Sequence, residues 1–363
     1  MIEQIAIAIK NKDYEKAKKI IDQLPLEDDN FLWKNYYYGL LAEKQNNLEE
    51  AEKKYRQVIK DSIFPNPQIT KNIRDGLERI KLIKKAEQKE IKKQKQKTLI
   101  EFQQKENSQD LAVLVIKPTT IEQKNNIAKQ FAEIINLDSY TAKLQIPTRN
   151  LRLYQTGNYG ELQYYQQEFK QLNLSTICHS IKEINQVIVY QVKYIKNDEE
   201  KITLLCNDKN SKEKEIILNT QEITNKINAI VPIFELTVHT NNKRKLTRKK
   251  ETLDYLNFCD LHLKNTKTII RFNDHIYQFN QGISIFNQDK TNRNKWLTLL
   301  RFLNDRIDQV SIHNDFTPFA EGAIQFPEML KQITSNINIF RKQETLWDEA
   351  FQLYSALILL DSL

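Results

Sequence analysis

Residues 11–24, NKDYEKAKKIIDQL, and residues 45–58, QNNLEEAEKKYRQV, align position for position. Tyr14 matches Leu48, Ala17 matches Ala51, Ile21 matches Tyr55 and Leu24 matches Val58, each pair 34 residues apart. Within each copy the apolar positions recur at steps of three and four, which places them on one face of a helix. A small residue at the same place in both copies marks a point where paired helices cross closely. A period of this length is the mark of a repeated supersecondary unit that buries its apolar face only against its neighbours.

Working outward, Ile5, Ile9, Tyr14, Ala17 and Ile21 form one apolar stripe. Trp33, Tyr37, Leu40 and Leu41 form a second, and Ala51, Tyr55, Val58 and Ile59 a third. Residues 1–85 therefore read as antiparallel helices. Pro65 and Pro67 close the second unit, and Ile73, Leu77 and Ile80 mark a following helix that caps it. The register resembles that of the tetratricopeptide repeat, with Gly39, Ala51 and Tyr55 at that family's spacing and Ala17 as the earlier counterpart of Ala51. It departs from the family at Val58, where a small residue is usual. The resemblance implies a protein-binding scaffold that performs no chemistry. Two units fall short of the roughly three such an array needs, so a cap, another domain or a second chain is expected to complete it.

Residues 86–110 read as a charged helical linker, because the run from Lys81 carries high helix propensity and no apolar stripe. Residues 111–183 then alternate between strand and helix. LAVLVIKP is a strand ended by Pro118, and Ile127, Phe131, Ile134 and Ile135 define a helix. A short helix over residues 137–144, the strand NLRLYQTG, a helix bearing Leu162, Tyr165, Phe169 and Leu172, and the strand STICHSI follow. This β-α-α-β-α-β order resembles the fold shared by the C-terminal domain of the bacterial ribosomal stalk protein and the Clp-protease adaptor. The whole chain resembles tetratricopeptide-repeat proteins of unassigned role in cyanobacterial genomes.

Residues 184–310 are rich in β-branched and aromatic runs joined by polar turns: VIVYQVKYI, KITLLCND, KEIILNT, IVPIFELTVHT, TLDYLNFCDLHLK, TIIRFND and HIYQFN. With a helix over residues 295–307, they resemble a pleckstrin-homology-like barrel of antiparallel strands. Residues 311–363 form a C-terminal loop and helices, the last apolar around Trp347, Phe351, Tyr354 and Leu357. The fold class expected is thus multidomain α+β.

Of the 363 residues 40% are hydrophobic and 28% charged, a balance that excludes a disordered chain. No apolar run reaches membrane-spanning length, and the opening MIEQIAIAIK is too short and too soon charged for a signal peptide. Cys178, Cys206 and Cys259 lie far apart with no C-x-x-C pair, which fits a reducing cytoplasm.

Cys178-His179, Cys259-Asp260 with His262, and Asp274-His275 carry zinc-ligand residue types, but their spacing matches no metal-binding motif. Strand alternation puts Asp260 and His262 on one face and Cys259 on the other. Gly157 and Gly160 bracket a strand-to-helix turn without the spacing of a phosphate loop, and no G-x-S-x-G occurs. Neither a catalytic residue, a cofactor, a metal nor a small-molecule substrate is expected. One segment stands apart: Lys243, Arg244, Lys245, Arg248, Lys249 and Lys250 put six bases within residues 243–250, read as a loop between two strands. Such a cluster is a candidate anion-binding site for a membrane surface or nucleic acid. The function expected is a cytoplasmic, non-catalytic adaptor with protein partners; the alternative is a peripheral anchor or regulator acting through that basic segment.

Overall fold

The computed structural model describes residues 2–24, 28–61, 67–197, 201–240, 246–264, 266–286, 291–307 and 310–362. They divide into two compact units, Met1–Thr98 and Leu99–Leu363. The chain is mixed α+β.

The first unit is helical. It comprises α1 (Ile2–Lys10), α2 (Tyr14–Asp22), α3 (Asp28–Lys44), α4 (Leu48–Asp61) and α5 (Pro67–Gln103) as far as Thr98. The duplication read from the sequence reappears bond by bond in the two inter-helix turns. Lys12 and Asn46 both adopt the left-handed conformation, at φ 60°. Asp13 N–H donates to Ala8 O and Asn47 N–H to Ala42 O; Lys12 N–H donates to Ile9 O and Asn46 N–H to Glu43 O. These are the paired bonds that close a helix on a left-handed residue. Asp13 then caps α2 by accepting from Lys16 N–H, and Asn47 accepts from Glu50 N–H to cap α4. Ala17 and Ala51 are both fully buried.

One side chain locks α3, α4 and α5 together. The ring of Tyr55 on α4 is buried between two glycines, and a Cβ on Gly39 would lie 2.8 Å from it and one on Gly76 2.7 Å. Its hydroxyl donates to Glu43 Oε2 at 2.7 Å, and Arg79 of α5 donates to Glu43 Oε1 at 2.7 Å. Along α5 the buried residues are Ile69, Ile73, Gly76 and Ile80, all in its first half. The charged sequence beyond Lys81 continues as helix to Gln103 without burying another side chain, because no apolar stripe recurs there.

The second unit opens with β1 (Leu111–Ile116), α6 (Ile121–Ile135), α7 (Ser139–Gln145), β2 (Arg152–Asn158), α8 (Tyr159–Gln171) and β3 (Thr176–Ser180). This is the β-α-α-β-α-β order, folded as an antiparallel sheet β2-β1-β3. The unbroken apolar run of β1 is buried on both sides. Ala112, Leu114 and Ile116 join the core under α6 to α8, while Val113 and Val115 join a second core on the opposite face.

After α9 (Ile181–Asn185) come β4 (Ile188–Asn197), β5 (Ile202–Asn207), β6 (Glu213–Leu218), β7 (Ile223–Thr240), β8 (Leu246–Leu263) and β9 (Thr268–Asn273). The chain ends with α10 (Asn292–Asn304), β10 (Ser311–His313), α11 (Phe316–Ala323), α12 (Pro327–Leu330) and α13 (Trp347–Asp361). Seven strands form one curled sheet, a half-barrel, in the order β10-β7-β8-β9-β4-β5-β6. The antiparallel barrel expected from the sequence is replaced by a mixed sheet, with β9 parallel to β4 and β10 parallel to β7. The cause lies in its strands, which carry apolar residues on both faces. Cys259, Leu261, Ile270 and Phe272 pack with Trp296, Leu299 and Leu303 of α10. Phe258, Ile227, Val231 and Ile269 pack with α11 and α13 on the other side. A sheet covered on both faces has no need to close on itself.

Several elements escape the sequence reading, the five-residue α9 among them. HIYQFN is irregular rather than a strand: the Tyr277 hydroxyl accepts from Ile195 N–H, and its ring meets Phe279 at a tilt and Phe286 edge-on. The three-residue β10 is too short to show a period. Helix α13 is buried nearly all round, from Ala350 to Leu360, and shares its core with Val113, Val115 and Ile177 of the small sheet. One core thus joins residues from all three segments that the sequence separates at 183/184 and 310/311. Among the described residues no helix is long and apolar enough to cross a membrane.

Two substitutions in the helical unit should act in opposite directions. Ala51→Leu overpacks a fully buried crossing and is expected to cost about 1–3 kcal/mol. Lys12→Gly removes a side chain from a left-handed position and is expected to stabilise by about 1 kcal/mol. Denaturant unfolding followed at helix amides by hydrogen exchange measures both; a stabilising Ala51→Leu would refute the crossing.

Candidate functional site

In the helical unit α4 and α5 leave an open groove of about 980 Å3, lined by Arg56, Arg74, Leu77, Lys81, Leu82 and Lys85 among others. Its position follows from the Tyr55 lock, which fixes the two helices side by side. Glu52 on the groove wall is already engaged by Arg56 at 2.7 Å and Lys84 at 2.6 Å, and these hydrogen bonds hold its carboxyl below the usual range. Glu43 is likewise held low: burial works against its charge, but the bonds from Arg79 and Tyr55 outweigh it. Around apolar Leu77 and Leu82, the bases Arg74, Lys81 and Lys85 outnumber the one further acid, Glu78. Of the residues expected to pack the repeat, Gly39 and Tyr55 meet at the α3–α4–α5 junction, Ala51 is buried on α4 one turn before Tyr55, and Ala17 is buried on α2.

The described part of the basic segment, residues 246–250, differs from its reading as a loop. Lys243, Arg244 and Lys245 lie outside the described residues, whereas Arg248, Lys249 and Lys250 belong to β8 and pair with Val238, Thr237 and Leu236 of β7. The β-branched run TVHT at the end of β7 gives these charges a strand to pair with, so the hairpin extends further than its composition suggests. Lys250 donates to Glu344 O at 2.7 Å and lies over the Phe234 ring. Lys249 faces Glu251, which also receives bonds from Thr237 and His239.

The residues with metal-ligand chemistry are dispersed or sealed. Cys178, Cys206 and Cys259 are buried, and burial pushes each thiol up to about 12. His179 sits 3.3 Å from Glu183, the residue that completes a capping box with Ser180 at the start of α9. Asp274 accepts from the Asn257 amide at 2.6 Å. Among the described residues no group of three or more His, Cys, Asp or Glu could hold a metal ion. Gly160 is explained by chain approach, since a Cβ there would fall 2.5 Å from Phe102 O.

Asp260 and His262 do share a face, but with partners that the sequence does not disclose. Arg271, opposite Asp260 on β9, donates from Nε at 2.9 Å and Nη2 at 2.8 Å to the two carboxylate oxygens. Its Nη1 donates to Ser335 O, and its guanidinium carbon lies 4.7 Å from the Phe351 ring centroid on α13. Ser355 of α13 donates to Asp260 Oδ2 at 2.6 Å and lies 3.0 Å from His262 Nε2. Because the serine proton is committed to the carboxylate, His262 must donate from Nε2, and its Nδ1, buried without a hydrogen-bond partner, fits the lone pair of a neutral imidazole. Burial pushes His262 down to about 4, in keeping with that state. Asp260, His262, Arg271 and Ser355 are all 0% exposed. The four resemble a hydrolytic set only in residue types: the carboxylate binds the serine rather than orienting the histidine, and no substrate reaches it. The signal that could have revealed the pair was one charge within each of two apolar strands, Asp260 in NFCDLHL and Arg271 in TIIRFN.

No protein-family model, no curated protein and no solved structure matches the chain.

Two outcomes follow for the sealed network. Arg271→Met leaves a buried carboxylate unpaired and is expected to cost about 3–5 kcal/mol, while Asp260→Leu combined with Arg271→Met recovers most of it. Denaturant midpoints of the three proteins check this, and equal losses for single and double variants would contradict it. His262 favours its neutral form when folded, so the unfolded chain binds the extra proton between pH 6.5 and about 4 and stability falls as pH drops through that window. The loss attributable to His262 is about 3 kcal/mol. His262→Gln keeps the donor to Ser355 and should flatten that part of the slope.

Proposed function

We propose that this chain is a non-catalytic adaptor whose helical unit, built of tetratricopeptide-type hairpins, holds an acidic segment of a partner protein in the groove between α4 and α5. The observation that carries this reading is the duplicated turn: the backbone bonds around Lys12 recur around Asn46, with Ala17 and Ala51 buried at equivalent places. A hairpin repeated in this way is a stacking unit, and stacked hairpins offer grooves to extended or helical segments of other proteins. The groove supports an acidic partner, since Arg74, Lys81 and Lys85 line it beside Leu77 and Leu82. The burial of the cysteines and of His262 weighs on the same side, because these side chains contact no ligand from solvent.

Quantitative affinity purification with the full chain tests the proposal, followed by direct binding of the recovered partner. Arg74→Glu with Lys81→Glu reverses charge on the groove without touching the helix core. The expected result is at least about tenfold weaker binding to a partner whose crosslinks map to α4 and α5, with partial recovery when an acidic residue of the partner is reversed in turn. Unchanged affinity, or crosslinks confined to residues 99–363, would remove the groove from the proposal.

A further inference from the structure

From the end of its contact with β9, the β7–β8 hairpin continues as a two-stranded ribbon, with Phe234 opposite Thr252 and Thr240 opposite Leu246. Directly opposed residues share a face, and successive residues alternate between faces. One face therefore carries Leu236 with Lys250, Val238 with Arg248, and Leu246 with Thr240. Leu236, Val238 and Leu246 are 42%, 60% and 75% exposed. The other face carries Glu235, Thr237 and His239 with Glu251, Lys249 and Thr247, and its charges are satisfied internally. Glu251 receives Thr237 and His239 and lies 3.9 Å from Lys249, while Glu235 binds Lys342 at 2.6 Å. On the first face Arg248 has no hydrogen-bond or ion-pair partner among the described residues, and Lys250 meets only a neutral carbonyl and a ring.

We propose that this face of the ribbon docks on an anionic lipid surface. Apolar side chains interleaved with cations are complementary to a bilayer that offers acyl chains beneath negative headgroups. The same pattern fits nucleic acid poorly, because Leu236, Val238 and Leu246 would meet phosphates and hold no stacking platform. The inference stands apart from the adaptor reading: it concerns the second unit and survives if the α4–α5 groove binds nothing.

The full chain is sedimented with phosphatidylcholine vesicles, with and without phosphatidylserine, at low and physiological ionic strength. Binding is expected only with the anionic lipid and should weaken as salt rises. Arg248→Gln should weaken it about fivefold and Lys249→Gln, an identical charge change on the opposite face, should leave it intact. A fluorophore placed through Val238→Cys should shift to the blue on anionic vesicles, and one placed through Thr237→Cys should not. Failure of the unaltered protein to bind anionic vesicles at low salt overturns the proposal, as does an equal loss from Arg248→Gln and Lys249→Gln. Displacement by nucleic acid with unchanged binding of Leu236→Ser/Val238→Ser/Leu246→Ser would assign the face to nucleic acid and overturn it likewise.

Discussion

The second unit depends on a guanidinium and a carboxylate held out of water. Asp260 and Arg271 are cross-strand neighbours, and their side chains rise from the middle of the sheet into the layer occupied by α13. Two charges in that place are tolerable because all three guanidinium nitrogens and both carboxylate oxygens have a partner: two bonds between the pair, one to Ser335 O and one from Ser355. Removing either charge strands the other, so the pair contributes less net stability than it demands in arrangement. What it fixes is position. A helix as apolar as α13 could rotate or slide in a greasy layer at small cost, and the Ser355–Asp260 and Arg271–Phe351 contacts single out one register.

The helical unit solves its packing differently. Its lock is steric, an aromatic ring filling the space left by two absent side chains, and the polar triad of Tyr55, Glu43 and Arg79 reaches the edge of that core. Burial and then the Glu43 carboxylate push the Tyr55 phenol up, so it stays a donor.

Much of this was legible in the sequence where the signal was local. The duplicated hairpin could be read because one physical demand, a small residue at a helix crossing, recurs at Ala17 and Ala51. The β-α-α-β-α-β order could be read because the apolar period switches between two and 3.6 at Pro118, Pro147 and the Gly157–Gly160 stretch. Strand partners could not be read, since the pairing of β9 with β4 and of β10 with β7 joins segments distant in the chain. The strand over residues 246–250 of the basic stretch was not legible because charge density depresses strand propensity, whereas these residues take their conformation from the β7 backbone beside them. Asp260 and His262 attracted attention as candidate ligands on a shared face; the face was right, and the partners, Arg271 and Ser355, needed the fold.

The buried polar groups Asp260, His262, Arg271 and Ser355 hold elements in register. Exposed character is left to a groove and a ribbon, both basic and both interleaved with apolar residues. The central claim, that the Asp260–Arg271–Ser355 network ties α13 to the sheet as one cooperative body, is tested by native-state hydrogen exchange of the full chain. The account predicts that amides of Cys259 to His262, Ile269 to Phe272 and Phe351 to Leu359 share a single slowest opening. An α13 that exchanges through its own lower-energy opening, while β8 and β9 stay protected, would contradict it.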